Sequence, residues 1–127
     1  MERIMIIGIG VDIIELDRVK RAISSEAFIK RVYSAGEIEY CKARGKSSVQ
    51  SFAGRFAAKE AILKAFGTGL RGGELVDIDV YNDELGCPRV RLHGWFGELA
   101  EKKGVKNIWI SISHSKNSAV AQCVLEG

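Results

Sequence analysis

Glu60 and Lys64 stand one helical turn apart within the stretch Phe52 to Gly69, and Gly67-Thr68-Gly69 closes that stretch. On a helix, residues at this spacing face the same way, so a carboxylate and an ammonium share one side. A glycine pair lets backbone N–H groups approach phosphate oxygens closely, and the threonine between them adds a hydroxyl donor. Together these groups suit a magnesium-diphosphate site, provided that a second carboxylate joins Glu60. A bland reading stands beside this one: a Glu-Lys pair at this spacing is usually a solvated helix support. The familiar phosphate loops precede a helix, whereas this one follows it, so it is neither a Walker loop nor a dinucleotide fingerprint.

Asp12 is the candidate second carboxylate. It ends the isoleucine-rich run Ile4 to Ile13, which reads as a buried strand. Gly8 and Gly10 thin the face that alternation gives to Asp12, opening it to a backbone or a ligand. An aspartate in this place is either a helix cap or a metal ligand, and the sequence leaves both open.

The element that must carry Glu60 and Lys64 is a helix. Ala53, Ala57, Ala58, Ala61 and Ala65 are strong helix formers, and Gly67 supplies the stop. Phe52, Phe56, Leu63 and Phe66 fall within one stripe, with Lys59 projecting into its middle and either snorkelling or serving a site. After Asp12, Leu16, Val19 and Ile23 mark a short amphipathic helix whose other positions carry Arg18, Lys20 and Arg21. Ser34 and Glu37 form a capping-box signature. Arg44 to Ser48 reads as a loop, and its Gly-Lys-Ser lacks the upstream glycine of a P-loop. Leu75–Tyr81 and Arg89–Leu92 read as strands around the turn Asn82–Gly86, with Pro88 opening the second. A helix is expected over 93–103. Asn107–Ser113 alternates and delivers His114 at its end, and Ala119–Leu125 returns as the last strand. His114, between Ser113 and Ser115, suits a contact to a phosphate or nucleotide better than a role as primary base. His93 carries no signal.

Composition narrows the classes. A chain of 127 residues with 46% hydrophobic and 28% charged residues is expected to form one domain, over 1–127, of ordinary globular character. A net charge of +3 is too small to call for a nucleic-acid partner. Cys41, Cys87 and Cys123 are scattered, which argues for reduced thiols and a cytoplasmic protein. The apolar run after Arg3 is cut short by Asp12 and Glu15, so neither a signal segment nor a membrane span is expected.

Gly8-Ile-Gly-Val-Asp12-Ile-Ile-Glu15 and Phe56-Ala-Ala-Lys-Glu-Ala-Ile-Leu-Lys-Ala-Phe-Gly-Thr-Gly69, followed by Gly86-Cys-Pro88 and Ser111-Ile-Ser-His114, together resemble one family. That family is the holo-(acyl carrier protein) synthases, the small bacterial type of 4'-phosphopantetheinyl transferase. The resemblance spans nearly the whole chain; residues 34–51 and 93–107 match poorly, and Cys87 replaces a position that is often polar. It implies an α+β fold, a small antiparallel sheet packed on a long central helix. It implies transfer of 4'-phosphopantetheine from coenzyme A to a serine of apo acyl carrier protein, in support of fatty acid biosynthesis. The resemblance assigns Mg2+ to Asp12 and Glu60 and places Lys64 on the diphosphate. Lys59, Lys64, Gly67, Thr68 and Gly69 would help hold coenzyme A, with Pro88 and His114 near its nucleotide end. The base that activates serine stays open among a metal-bound water, Glu60 and Glu37. A homotrimer with sites at subunit interfaces is implied, and Trp95 and Trp109 are apolar candidates for exposure. Acyl carrier proteins are acidic, so Arg18 and Arg21, on one face of their helix, are the expected docking residues. Two rival readings remain: a magnesium-dependent phosphohydrolase, and a noncatalytic nucleotide- or RNA-binding module.

Overall fold

Helix α4, Ser48–Phe66, is the axis of the molecule, and the computed structural model describes residues 3–127 around it. The first two residues of the expected domain lie outside the described residues. In chain order the elements are β1 (Ile6–Glu15), α1 (Leu16–Ala22), α2 (Glu26–Val32), α3 (Ala35–Lys42), α4, β2 (Ile78–Asn82), β3 (Pro88–Leu92), α5 (Gly94–Lys103), β4 (Asn107–His114) and β5 (Ser118–Glu126). Short 3-10 turns at Gly45–Ser47 and Leu75–Asp77 lead into α4 and β2. The strands form two antiparallel sheets, one of three strands in the order β1-β5-β4 and one of two, β2-β3. This is the expected α+β arrangement of small antiparallel sheets on a long helix.

Small residues set the spacing between α4 and the larger sheet. A Cβ added at Gly8 would stand 2.0 Å from the Ala65 carbonyl oxygen, and one at Gly10 2.0 Å from that of Ala61. No side chain fits there, so β1 lies directly against the helix backbone. The close approach anticipated at these glycines is thus one of backbone to backbone. Ala119, Ala121, Cys123 and Leu125 of β5 are buried on the same inner face. The opposite face of β1 turns outward, with Ile9 67% and Ile13 69% exposed.

The single apolar stripe expected on α4 is replaced by burial on almost every side. From Phe52 to Phe66 only Phe56, Glu60 and Lys64 escape full burial. These three succeed one another by single turns and form the open seam of the helix. Phe52, Ile62 and Phe66 fill the core, each such side chain contributing roughly 1.5–3 kcal/mol by leaving water. α4 also begins earlier than its alanines suggest, taking in the end of the expected loop. α2 was not expected; Ser25 caps it by accepting from the Phe28 N–H.

Candidate active site

Asp12 sits on the inner face of β1, paired in register with Ala121 of β5. It is no helix cap, because α1 begins later, with Glu15 at its N-cap position. Across the tight β1–α4 contact it meets Lys64, whose Nζ donates to Asp12 Oδ1 at 3.0 Å and to the Val11 carbonyl at 3.0 Å. The side chain of Lys64 remains 56% exposed and that of Asp12 17%. Glu60, half-buried one turn before Lys64, completes the group. Burial pushes the Glu60 carboxyl above the usual range and the charge of Asp12 pushes it further, while Lys64 and Arg18 pull it back. Two carboxylates and an ammonium therefore share one partly buried place, where the charge of Asp12 disfavours that of Glu60 and the charge of Lys64 favours it.

Lys59 is placed elsewhere than expected. Its side chain is fully buried; Nζ pairs with Glu37 Oε1 at 2.8 Å and donates to the carbonyls of Leu75 at 2.9 Å and Ile78 at 2.6 Å. An ammonium has three donors, so none is left for coenzyme A or any other ligand. Neither of the two roles expected for it, snorkelling or ligand binding, survives. Glu37 is committed likewise. It accepts from the Ser34 N–H at 2.8 Å and the Val80 N–H at 2.9 Å as well as from Lys59, which removes it as a candidate base.

The loop after α4 is only partly available. Gly67 takes the left-handed cap conformation (φ 76°), its N–H donating to the Leu63 carbonyl at 2.9 Å. Gly69 also has positive φ, and Thr68 Oγ1 donates weakly to the Gly69 carbonyl at 3.3 Å. The C-terminal pole of a helix carries partial negative charge, so an anion there depends on Lys64 and on the remaining N–H groups.

Pro88 and His114 come together in a separate cleft of about 280 Å³, walled also by Tyr40, Arg44, Arg55 and Asn82. The His114 ring donates from Nε2 to the Gln50 carbonyl at 2.9 Å, and it fits because residue 54 is glycine; a Cβ there would meet Nε2 at 2.8 Å. Arg55 was missed in the sequence. It is 5% exposed, its guanidinium lies 4.1 Å from the Tyr40 ring centre, and it donates from Nη2 to Asn82 Oδ1. Among the described residues its Nε has no partner. An arginine amid alanines next to the apolar Phe52 and Phe56 was the available signal, since a guanidinium so placed needs acceptors.

Asp12, Glu60 and Lys64 do not line this cleft. They lie where β1 crosses α4, while His114 ends β4, beyond the intervening β5. Arg18 and Arg21 are exposed on α1, and Arg18 is near enough to act on Glu60. Arg18 also edges an apolar groove of about 160 Å³ with Val19, Phe28 and Phe56. Trp109 is 46% exposed, whereas Trp95 packs edge-on against Phe96. Among the described residues no three His, Cys, Asp or Glu side chains gather as a metal cage.

A family profile described as the 4'-phosphopantetheinyl transferase superfamily matches residues 8–123. A holo-[acyl-carrier-protein] synthase of Geotalea daltonii is 48% identical over 125 residues, covering 96% of this chain and 99% of the relative. The solved holo-[acyl-carrier-protein] synthase of Neisseria meningitidis superposes with a TM-score of 0.88 at 35% identity, over 97% of this chain and 100% of that one. The Bacillus anthracis synthase, solved in complex with CoA (3',5'-ADP), gives 0.81 at 40% identity, over 97% and 98%.

Proposed function

The chain belongs to the 4'-phosphopantetheinyl transferase superfamily, and from that premise we propose how its residues divide the work. It is a transferase acting on coenzyme A, moving 4'-phosphopantetheine to a serine of apo acyl carrier protein. The serine oxygen attacks the phosphorus that bears pantetheine and gives up its proton to Glu60 or to a water beside it. The bond from that phosphorus to the bridging oxygen breaks, and adenosine 3',5'-bisphosphate leaves with the electron pair.

The observation that carries the division of labour is the meeting of Asp12, Glu60 and Lys64. Two carboxylates without a third, beside open solvent, fit magnesium, which takes one or two protein carboxylates and keeps several waters. Held by Asp12 and Glu60, magnesium would neutralise charge on the diphosphate oxygens as the bond breaks. Lys64 then faces the leaving phosphate and stabilises its developing charge. It is free to do so because its side chain is exposed and its present partner, Asp12, is itself a proposed ligand. Glu60 stays half-buried to hold its place, and Glu37, buried and paired with Lys59, is out of reach of the serine proton. Pro88, His114 and Arg55 receive the nucleotide end, with Gly67, Thr68 and Gly69 beside the diphosphate.

The two groups of residues lie apart on one chain, which supports a homotrimer whose sites form between copies. The outward apolar face of β1, with Ile9, Val11 and Ile13 exposed, suits such an interface. Arg18, which acts on Glu60, and Arg21 on the same helix suit docking of the acidic carrier protein. Among the described residues no helix is long and apolar enough to cross a membrane. The three free cysteines accord with a reducing cytoplasm.

One experiment tests the whole. The protein is incubated with coenzyme A, magnesium and an apo carrier protein, and intact masses are taken. Addition of phosphopantetheine to the carrier, lost in Asp12→Asn and Glu60→Gln, is the expected result. Hydrolysed coenzyme A with an unmodified carrier would make this a phosphohydrolase, and no turnover at all would leave a binding module.

A further inference from the structure

The β2–β3 hairpin is a separate two-stranded sheet, and two-stranded ribbons are marginal unless something holds them. Ile78 and Val80 are buried beneath it, but apolar contact is not directional and does not fix where the strands end. Directional ties come from one closed network. Lys59 donates to the carbonyls of Leu75 and Ile78 at the entry to β2, and Glu37 accepts the Val80 N–H. Ser34, whose own N–H binds Glu37, donates through Oγ to Asp79 Oδ1 at 2.7 Å. Two residues beyond Val80, β2 ends at Asn82. That residue binds Arg55 and is paired with Pro88, so the wall of the nucleotide cleft made by Asn82, Gly86 and Pro88 hangs from this hairpin and faces the wall made by α4 and His114.

We propose that the buried Lys59–Glu37 pair is a positioning device that holds the β2–β3 hairpin in register against α4, and thereby sets the width of the cleft for the adenosine bisphosphate end of coenzyme A. The inference rests on the reading of that cleft as the nucleotide site. It gives Lys59 a part in substrate affinity although its ammonium touches no substrate. It also separates Lys59 from its neighbour Glu60: the first governs how coenzyme A is held, the second how its diphosphate is cleaved.

The test uses Glu37→Leu/Lys59→Met, which replaces both charges at once and leaves neither buried alone. Titration with adenosine 3',5'-bisphosphate, without magnesium, reads the cleft directly, and steady-state kinetics separates KM from kcat. The expected result is a cooperatively unfolding protein whose bisphosphate Kd and coenzyme A KM both rise about tenfold, with kcat within about threefold of the parent. Amide exchange over 78–92 should quicken in the same variant. Glu37→Gln keeps one acceptor oxygen where the carboxylate had two and should show a smaller rise; it decides the matter alone if the double variant fails to fold. A folded double variant with parental Kd and KM overturns the inference. Failure of the underlying reading looks different: the parent protein would bind the bisphosphate no better than its His114→Ala variant.

Discussion

Helix α4 carries two lysines, each paired with a carboxylate from a distant part of the chain. Lys59 and Glu37 meet at 2.8 Å with both side chains 0% exposed; Lys64 and Asp12 meet at 3.0 Å with side chains 56% and 17% exposed. The contact lengths are nearly alike, and the surroundings are opposite. Five residues along a helix amount to about 140° of rotation, so the two ammonium groups cannot share a face. The inner pair is saturated, every donor of Lys59 having an acceptor in the fold. The outer pair leaves oxygens of Asp12 and Glu60 to be claimed. An ion pair thus becomes architecture or chemistry according to whether its partners are all internal, a property that distance alone does not show.

The comparison breaks most readily at the lysines. Lys59→Met strands a carboxylate in the core and should cost 3–5 kcal/mol, roughly, of folding free energy. Lys64→Met removes an exposed partner and should cost about 1 kcal/mol or less, while slowing transfer. Urea denaturation of the two variants under one buffer compares them, and equal losses would end the distinction. Next in size is Glu60→Gln, expected to lower turnover at least 100-fold, roughly 3 kcal/mol of transition-state stabilisation, at unchanged fold. Near-parental turnover at saturating magnesium would remove Glu60 from the chemistry.

A pH dependence sharpens the outer site. The Glu60 carboxyl is raised in the folded state, chiefly by burial, so its ionisation opposes folding. The metal-free protein loses that part of its stability as pH rises through the ordinary carboxylate range, and the loss levels off above the raised folded value. Magnesium bound to the ionised pair should reverse it, contributing about 2.7 kcal/mol when present at a hundred times its Kd. The increment in Tm on adding magnesium should therefore be larger near neutrality than in mild acid, and absent in Glu60→Gln. A pH-independent increment would place the metal elsewhere. The smallest effect concerns the rim. Arg18→Glu should raise the carrier-protein KM about fivefold to tenfold at low salt and less at high salt, leaving coenzyme A binding unchanged. Unaltered carrier kinetics would move the docking surface away from α1.

What the sequence showed and what it hid follow the same division. Glu60 beside Lys64, Asp12 on the glycine-thinned face and the capping box at Ser34 and Glu37 were legible, because each depends on spacing within one element. The second role of Glu37 was not legible, since its lysine lies on another helix and the strand they hold comes later still. Lys59 was misread because a charged residue within an apolar helix looks available until its acceptors, two of them backbone carbonyls, are seen. Arg55 was overlooked for a related reason: its acceptor on Asn82 and its aromatic partner Tyr40 come from two further elements. The seam of Phe56, Glu60 and Lys64 emerged only with the surrounding walls, as residue periodicity alone suggested a broader open face.

The pairing of β1 with β5 has a consequence in time. Asp12 is made well before β5, yet its strand is an edge of the sheet whose one neighbour among the described residues is β5, joined from Ile6–Glu126 to Glu15–Ser118. Until β5 leaves the ribosome, the isoleucine-rich strand has no ladder to join, and α4 has no sheet to press against Gly8 and Gly10. A nascent chain stalled before Ser118 carries every acid and lysine of the outer cluster without the scaffold that gathers them. The gathering of Asp12 with Glu60 and Lys64 thus waits for β5, the strand made last among those described.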